Sequence, residues 1–348
     1  MFLGLVLLGG LPLGGCATPW GKREPNDSEA ELAAARSASR QGEWREAAGR
    51  WAEILHRGDE RSREACMGLS RATLELGDAA GAQRFADLGL RTFSRDADLL
   101  VCRAEALVAQ GFLHSAETAF EAALAAAPER PAIALDLARL SNDLGRSEAA
   151  LAVLEPRIGT DGTGPGPLAK DPRAARIVAD AQRRLGRIRD AFDSYARAFE
   201  LAAPSSGDLV HAASMAEAEH VRAELPRAAF LAGGWLQRAA ALDPQCTRAH
   251  YLLGVLAQGA EPAVAAAHLR RAVETDPADL DALTALAKLQ ARRGEIQDSI
   301  AMAERALALE TDPAKRTELE RLAKPEPVPE APPVESSPPS GGAPVRDP

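Results

Sequence analysis

Aromatic side chains are scarce in this sequence of 348 residues: they make up 4% of it, against 46% for apolar residues as a whole. A compact domain of this length that folds around one core usually carries more aromatic residues. The scarcity argues against a single large core and favours an array of helices that pack through Ala and Leu.

Positive charge is also in deficit. The chain has 41 Lys and Arg residues against 50 Asp and Glu residues, which gives a net charge of −9. A protein with this balance repels polyanions, and no basic run offers a footprint for DNA or RNA. We expect no nucleic acid partner.

Residue patterns that support catalysis or metal binding are missing. The six histidines include no His-Glu-x-x-His pair, the four cysteines form no Cys-x-x-Cys, and no Gly-x-Ser-x-Gly elbow occurs. Carboxylates such as Glu117 and Glu121 have the spacing of neighbours on one helix face, which we predict to be solvated. We expect no enzymatic activity, cofactor, metal or small-molecule substrate.

What the sequence does contain is a spaced pattern of small residues. Glycine recurs near one interval, which is 34 or 35 residues between its first four members, and most of these glycines have a small residue five positions later. A period of this length is typical of a solenoid, in which each repeat packs only on its neighbours. The glycines are Gly42, Gly77, Gly111, Gly145, Gly186 and Gly294; the residues seven positions before them are Ala35, Ser70, Ala104, Ala138, Ala179 and Ala287.

The clearest unit contains Gly111, Ala116, Phe120, Ala123 and Pro128 and predicts the second helix of a helical hairpin. The glycine ends the first helix in a left-handed conformation, and the alanine lets two helices approach closely. The aromatic residue fills the gap between hairpins, and the proline ends the second helix. Matching residues in other units are Ala47, Trp51 and Ile54; Ala150 and Leu154; and Ala191, Tyr195 and Ala198.

This pattern resembles the tetratricopeptide repeat family over roughly residues 28 to 323. The resemblance implies an all-α fold: a right-handed α-solenoid of about eight helical hairpins, with a first arm at residues 29–158 and a second arm at residues 172–323. Two late units keep only the second half of the pattern and lack its turn glycine: Ala232, Leu236, Ala239 and Pro244, then Ala265, Leu269, Ala272 and Pro277. Periodicity from an alanine-rich composition alone is the alternative, but the matching prolines at the unit ends disfavour it.

In this family the first helix of each hairpin lines a concave groove, so the resemblance also implies which side chains face a partner. An apolar row beside a mostly basic row suits an extended peptide or a helix that carries an apolar stripe and carboxylates. The alternative is that the apolar row packs hairpins together and the charged row is a solvated face. The two rows are Leu32, Met67, Val101 and Leu135, then Arg36, Arg71, Glu105 and Arg139; Asn142 is a further candidate.

Between the arms, residues 159–171 form a Gly- and Pro-rich insert, and we predict that the preceding helix breaks at Pro156. Its alternating glycines do not indicate a nucleotide site, because no strand precedes them and no Gly-Lys-Ser or Gly-Lys-Thr follows. We predict a flexible joint. In the repeat register Cys66 lies on the buried side of its helix and Cys102 on the groove side, so we expect free thiols and no bridge between them.

The N-terminus predicts a membrane anchor. Residues 1–15 form an apolar run too short to span a bilayer, as in a secretory signal peptide. Leu13-Gly14-Gly15-Cys16 resembles the lipobox of bacterial lipoproteins, which implies acylation of Cys16, although no basic residue precedes the run. Ala17 resembles the sorting signal for the outer membrane, facing the periplasm, and residues 16–28 form a tether. An ordinary cleaved signal of a secreted or periplasmic protein, or a misassigned start, is the alternative.

The C-terminal residues 324–348 include nine prolines, which exclude a helix and favour a disordered, extended tail. Such a tail either solubilises the chain or docks on another protein. Taken together, the sequence predicts a non-catalytic, membrane-anchored interaction scaffold or assembly factor of the bacterial cell envelope. Two alternatives remain: an envelope structural or spacer protein that acts through its tail, and an accessory subunit of an envelope enzyme.

Overall fold

The computed structural model describes residues 25–58, 62–159 and 165–324. These residues form eighteen α-helices and one 3₁₀-helix and contain no strand, which confirms the predicted all-α fold. The predicted signal peptide at residues 1–15, the anchor Cys16, the tether up to residue 24, insert residues 160–164 and the tail from residue 325 lie outside the described residues.

The chain forms two compact units, residues 1–170 and residues 171–348. In the first unit, helices of similar length alternate with short turns, and each packs on the next as a series of hairpins. The first of them begins at Pro25, four residues before the predicted start of the arm. These helices are α1 (Pro25–Gln41), α2 (Trp44–Arg57), α3 (Ser62–Glu75), α4 (Ala79–Thr92), α5 (Ala97–Ala109), α6 (Leu113–Ala126), α7 (Pro131–Asp143) and α8 (Ser147–Ile158).

The second unit continues the pattern with one interruption. Its helices are α9 (Pro172–Arg184), α10 (Ile188–Leu201), α11 (Ser206–Ala213), the 3₁₀-helix Ser214–Glu217, α12 (Glu219–Glu224), α13 (Pro226–Leu242), α14 (Thr247–Ala257), α15 (Pro262–Thr275), α16 (Leu280–Arg292), α17 (Ile296–Leu309) and α18 (Pro313–Ala323). With α11 to α12 as one broken first helix, the described residues form eight hairpins and a final helix.

The six predicted turn glycines all adopt the left-handed conformation, with φ between 73° and 85°. At Gly111, the Phe112 amide donates to the Leu107 carbonyl at 2.9 Å, and the Gly111 amide donates to the Val108 carbonyl at 2.9 Å. The first of these bonds is the six-residue closure of a Schellman motif, which satisfies a carbonyl that the helix end leaves unpaired. The equivalent bond closes the other five turns at 2.7–3.0 Å.

The two hairpins without a left-handed glycine in the turn differ from the others. Their second helices, α13 and α15, begin with Pro226 and Pro262, each at the start of the helix. Proline suits this position because its fixed φ matches the helix and its missing N–H would be unpaired there anyway. In these hairpins the proline marks the start of the second helix.

Small residues form the contact between paired helices, as predicted. Ala104 and Ala116 are fully buried in α5 and α6. Where a serine replaces the alanine, its hydroxyl bonds across the contact: Ser70 Oγ donates to the Ala82 carbonyl at 2.9 Å, and Ser299 Oγ donates to the Ala287 carbonyl at 2.9 Å. The backbones of the paired helices therefore approach closely in these hairpins.

Prolines mark most of the predicted helix ends. Pro128, Pro244 and Pro277 each stand two residues after the last residue of a second helix. The predicted break at Pro156 is wrong, because α8 continues through it to Ile158. A proline in the last turn removes a single amide donor, and Arg157 Nη1 donates to the Val153 carbonyl at 2.7 Å on the same turn.

The described end of the insert packs back on α8. The Gly166 amide donates to the Ile158 carbonyl at 3.2 Å, and the Leu168 amide donates to the Arg157 carbonyl at 2.9 Å. Leu168 is buried, and a Cβ at position 166 would lie 2.1 Å from the Arg157 carbonyl oxygen. Gly166 is therefore needed for a close backbone approach.

The predicted solvated face is correct for Glu121 and wrong for Glu117. Glu117 is buried, forms an ion pair with Arg146 and accepts a hydrogen bond from Ser141 Oγ at 3.1 Å. Helix α7 and the turn after it cover this side of α6, which the spacing of the two carboxylates alone could not reveal.

Candidate functional site

The first helices α1, α3 and α5 line an open cleft of about 520 Å³ in the first unit, referred to below as the first cleft. It combines an apolar floor with charged side chains of both signs. The lining residues are Arg36, Ser39, Arg40, Trp51, Glu64, Met67, Gly68, Arg71, Asp98, Val101, Cys102 and Glu105.

Trp51 of α2 forms part of the floor. Its side chain is 3% exposed, and its indole Nε1 donates to Ser39 Oγ at 3.0 Å. A Cβ at position 68 would lie 2.4 Å from the indole ring, so the glycine makes room for the tryptophan. Met67 and Val101 are half-buried beside it and provide the apolar surface.

Several charges of the first cleft are already paired. Arg36 donates to both carboxylate oxygens of Glu64, at 2.5 Å from Nε and 2.7 Å from Nη2. Asp98 accepts from Arg63 Nη2 at 2.8 Å and from Arg130 Nη1 at 2.5 Å. Desolvation opposes ionisation of Asp98, but these hydrogen bonds outweigh it and lower the pKa of the carboxyl group.

Arg71 and Glu105, unlike Arg36 and Asp98, are not held in ion pairs of this kind. In the part of the chain that the structure describes, neither has an ion-pair partner within 4.0 Å, and both are exposed. Desolvation by the surrounding cleft, followed by the charge of Asp136, raises the pKa of Glu105, while the charge of Arg71 lowers it. The protein therefore compensates the Glu105 carboxylate only in part.

Cys102 lies in the first cleft and Cys66 is buried, as the repeat register predicts. Cys66, Cys102 and Cys246 are all free thiols. Desolvation, with the charges of Glu105 and Asp98, raises the pKa of Cys102 to about 12. This thiol stays protonated near neutral pH, and only the thiolate is a strong nucleophile.

The structure brings five of the nine predicted groove residues into the first cleft: Arg36, Met67, Arg71, Val101 and Glu105. The other four lie elsewhere. Leu32 and Leu135 are buried, at 8% and 4% exposure, so they pack helices together and offer little surface to a ligand. Asn142 is also buried, whereas Arg139 is exposed and lies 3.7 Å from Asp136.

Sequence reasoning missed the acidic part of this lining. Glu64 and Asp98 each stand three residues before a predicted groove residue, Met67 and Val101, and so share its helix face. That spacing was available in the sequence and could have identified both carboxylates. The sequence identified Trp51 as a packing residue and did not predict that it forms part of the floor of the cleft.

The second unit has two smaller clefts. One, of about 250 Å³, lies between α10 and the start of α13 and includes Phe192 and Leu231. The other, of about 340 Å³, lies over α14, α16 and α18 and includes Tyr251, Thr284 and Lys315. Ion pairs connect its walls: Lys288 to Glu318 at 2.8 Å, and Arg248 to Asp281 at 3.3 Å.

Within residues 25–58, 62–159 and 165–324, no group of three or more His, Cys, Asp or Glu side chains is placed to hold a metal ion. No helix in these ranges combines the length and the apolar character needed to cross a bilayer.

Models of the tetratricopeptide repeat match the sequence at residues 32–96 and 107–162, about a third of the chain. No curated protein matches it significantly.

Among solved structures, the chain is similar to YrrB, a TPR protein with an unusual peptide-binding site, at 19% identity over 58% of this chain and 97% of that one, with a TM-score of 0.47. It is similar to the C-terminal part of a TPR repeat-containing protein from Cytophaga hutchinsonii at 14% identity over 82% and 97%, with a TM-score of 0.47. A third is a tetratricopeptide repeat protein from Parabacteroides merdae, at 11% identity over 86% and 99%, with a TM-score of 0.41. At these TM-scores the similarities carry no argument of their own.

The assignment rests on the matched segments and on the hairpins themselves. Each matched segment contains two of the four turn glycines of the first unit, and the same Schellman turn recurs at Gly186 and Gly294 in the second unit. The chain therefore contains tetratricopeptide repeats, which the family models match at residues 32–96 and 107–162.

Proposed function

We propose that this protein is a non-catalytic interaction scaffold or assembly factor, and that its first cleft binds an extended or helical segment of another protein. One observation carries the proposal: the cleft gathers the half-buried Met67 and Val101 next to the guanidinium of Arg71, which forms no ion pair within the described residues. Apolar surface beside such a guanidinium suits a segment with an apolar stripe and a carboxylate, because arginine can bind both carboxylate oxygens at once.

The structure changes which arginine is expected to bind the carboxylate. The fork of Arg36 is already occupied by both oxygens of Glu64, and Arg139 lies outside the first cleft. A partner that used Arg36 would first have to displace Glu64. Arg71 is therefore the proposed contact.

We also propose that the protein is a lipoprotein of the bacterial envelope, held at the outer membrane through an acylated Cys16. The support is the segment Leu13-Gly14-Gly15-Cys16, which follows an apolar run of signal-peptide length. Two or three acyl chains, at about 0.8 kcal/mol for each buried methylene, hold a protein at a membrane stably.

Photo-crosslinking in cells tests both proposals. With p-benzoylphenylalanine at position 67, we expect a discrete adduct in the membrane fraction, and we expect Arg71→Glu to abolish it. The matched control carries the same amino acid at position 88 on α4, where Leu88 is exposed on a second helix. Cys16→Ala should move the protein and its adduct to the soluble fraction.

Equal adducts from positions 67 and 88, or an adduct that survives Arg71→Glu, would exclude the first cleft as the binding surface. A membrane-bound Cys16→Ala variant would exclude the acyl anchor and leave the cleft proposal standing.

The alternative is an envelope structural or spacer protein that acts through its tail, and the nine prolines of residues 324–348 favour it. This reading requires that deletion of residues 324–348 abolishes function while charge reversal at Arg71 is tolerated. The scaffold proposal requires the opposite pair of results.

A further inference from the structure

The first helices of the first unit place one charged side chain per hairpin at the same register: Arg36, Arg71, Glu105 and Arg139. The outer two are engaged by nearby carboxylates, Arg36 by Glu64 and Arg139 by Asp136 at 3.7 Å. The inner two, Arg71 and Glu105, have no ion-pair partner within 4.0 Å among the described residues. The centre of this row is therefore a plus charge followed by a minus charge.

These two charges stand on neighbouring helices. Arg71 belongs to α3 and Glu105 to α5, and the two helices contact each other directly. Packed helices lie about 8–10 Å apart. The apolar residues Met67 and Val101 stand four positions before Arg71 and Glu105, which is one helical turn along the same face.

Resting on the proposed function, we propose that the first cleft recognises a segment that carries an acidic and a basic side chain in a fixed order, the acidic group on Arg71 and the basic group on Glu105. The charge of this part of the cleft is complementary to such a pair. A segment with carboxylates alone would satisfy Arg71 and place a like charge against Glu105.

The helix spacing limits how far apart the two charges stand in the partner. In a polyproline II segment, residues three apart face the same side at about 9 Å. In an α-helix, residues seven apart face the same side at about 10.5 Å. The acidic and basic residues are therefore three positions apart in an extended partner or seven apart in a helical one, with apolar residues between them over Met67 and Val101.

The raised pKa of Glu105 is consistent with this recognition. Its cause is desolvation by the cleft and repulsion from Asp136. The charges of Arg71 and Arg139 compensate the carboxylate only in part, so the site can accept a further cation. A lysine or arginine from the partner would supply it.

Selection of phage-displayed random peptides on the full chain, followed by fluorescence anisotropy of the selected peptides, tests the inference. We expect the peptides to share an acidic and a basic residue at a spacing of three or seven. The double variant Arg71→Glu/Glu105→Arg exchanges the two charges and keeps the net charge of the cleft. It should bind these peptides roughly tenfold more weakly or worse, and it should bind peptides with the two charged residues exchanged more tightly than the unmodified chain does.

The matched control is Arg91→Glu/Glu121→Arg, which exchanges two exposed charges on the second helices α4 and α6 and should change neither affinity. Binding of the exchanged peptide also shows that the Arg71→Glu/Glu105→Arg variant is folded.

Two negative outcomes are distinguishable. Peptides whose binding is lost in Met67→Asp or Val101→Asp, but which show no ordered charge pair or bind the charge-exchanged cleft equally well, overturn this inference and leave the proposed function intact. If no selected peptide depends on Met67 or Val101, the proposed function fails and the inference fails with it.

Discussion

At the scale of single residues, glycine has three different physical roles in this chain. Gly111 ends a helix with φ of +80°, and a Cβ there would meet nothing within 4 Å. Gly68 lies inside α3 and has no positive φ, but a Cβ there would overlap the Trp51 ring. Gly234 lies inside α13 with open space around it. Substitution by alanine should therefore raise the stability at Gly234 and lower it at Gly111 and Gly68.

We expect Gly234→Ala to raise the free energy of unfolding by about 0.8–1 kcal/mol, because alanine is the better helix former. Gly111→Ala should lower it by about 1–2 kcal/mol through left-handed strain. Gly68→Ala should lower it by about 1–3 kcal/mol, because Trp51 must move. Urea denaturation of the three variants measures these changes, and a gain in stability from Gly68→Ala would contradict the close contact.

The turn glycines could be predicted from the sequence because their cause is local: a helix must stop at a fixed distance from a small residue. Gly68 could not be predicted, since its cause is a tertiary contact with Trp51, 17 residues earlier. The same limit explains Leu32, which shares a repeat position with Met67 but is buried by neighbouring helices. Register predicts the direction of a side chain, and only packing decides its exposure.

At the scale of helices, a pair of histidines joins α14 to α15. The Nδ1 atoms of His250 and His268 lie 3.3 Å apart, and His250 Nε2 lies 3.3 Å from the Pro244 carbonyl oxygen. Desolvation, followed by the charge of His250, lowers the pKa of His268. The folded hairpin therefore favours a neutral His268.

This pair predicts a pH dependence of stability. An unfolded histidine titrates near pH 6.5 and the folded His268 titrates lower, so the unfolded state binds more protons between those values. The contribution of His268 to the free energy of unfolding is complete above about pH 6.5. It falls as the pH drops from that value through the pKa of the folded His268. His268→Gln should reduce the loss of stability between pH 7.5 and pH 5.5 in urea titrations.

His56→Gln provides the comparison for this experiment, because His56 is exposed on α2. That variant should keep the pH dependence of the unmodified chain. An unchanged dependence in His268→Gln would exclude the histidine pair as its source.

Helix boundaries could be predicted where a residue stops or starts a helix by itself, as Pro128 and Pro277 do. The end of α8 could not be predicted from Pro156 in the same way. A proline in the last turn of a helix removes one amide donor, and the helix can tolerate that loss. Pro226 and Pro262 carried a start signal that sequence reasoning overlooked in the two hairpins without a left-handed turn glycine.

At the scale of the whole molecule, the described residues form separate cores. One apolar cluster extends through the second unit and includes Leu236 and Leu269. Two clusters in the first unit centre on Trp51 and on Phe120. In a repeat protein, stability is close to a sum of repeat terms and nearest-neighbour terms, so a defect in one region acts locally.

Leu236→Ala tests this locality. The side chain is fully buried in α13, so we expect a loss of about 2–5 kcal/mol in the second unit. Hydrogen exchange followed by mass spectrometry should show faster exchange in residues 226–275 and unchanged exchange in residues 62–158. Faster exchange across both ranges would show that the cores unfold together.

The overall architecture followed from the sequence because the repeat period is long, regular and repeated many times. The proposed binding surface could be predicted only in part. Its basic row was visible in the register, but the carboxylates that neutralise Arg36 and Arg139 stand on other residues of the groove face, and only their placement in space shows which charges remain unpaired.

Asp98 holds Arg63 from the preceding hairpin and Arg130 from the following one, so a single carboxylate ties three consecutive hairpins together beside the first cleft. These bonds connect neighbouring hairpins beside the surface where we propose that a ligand binds. If the first cleft binds a partner as proposed, its charged groups are already held in position, so little binding free energy is spent on rearranging them.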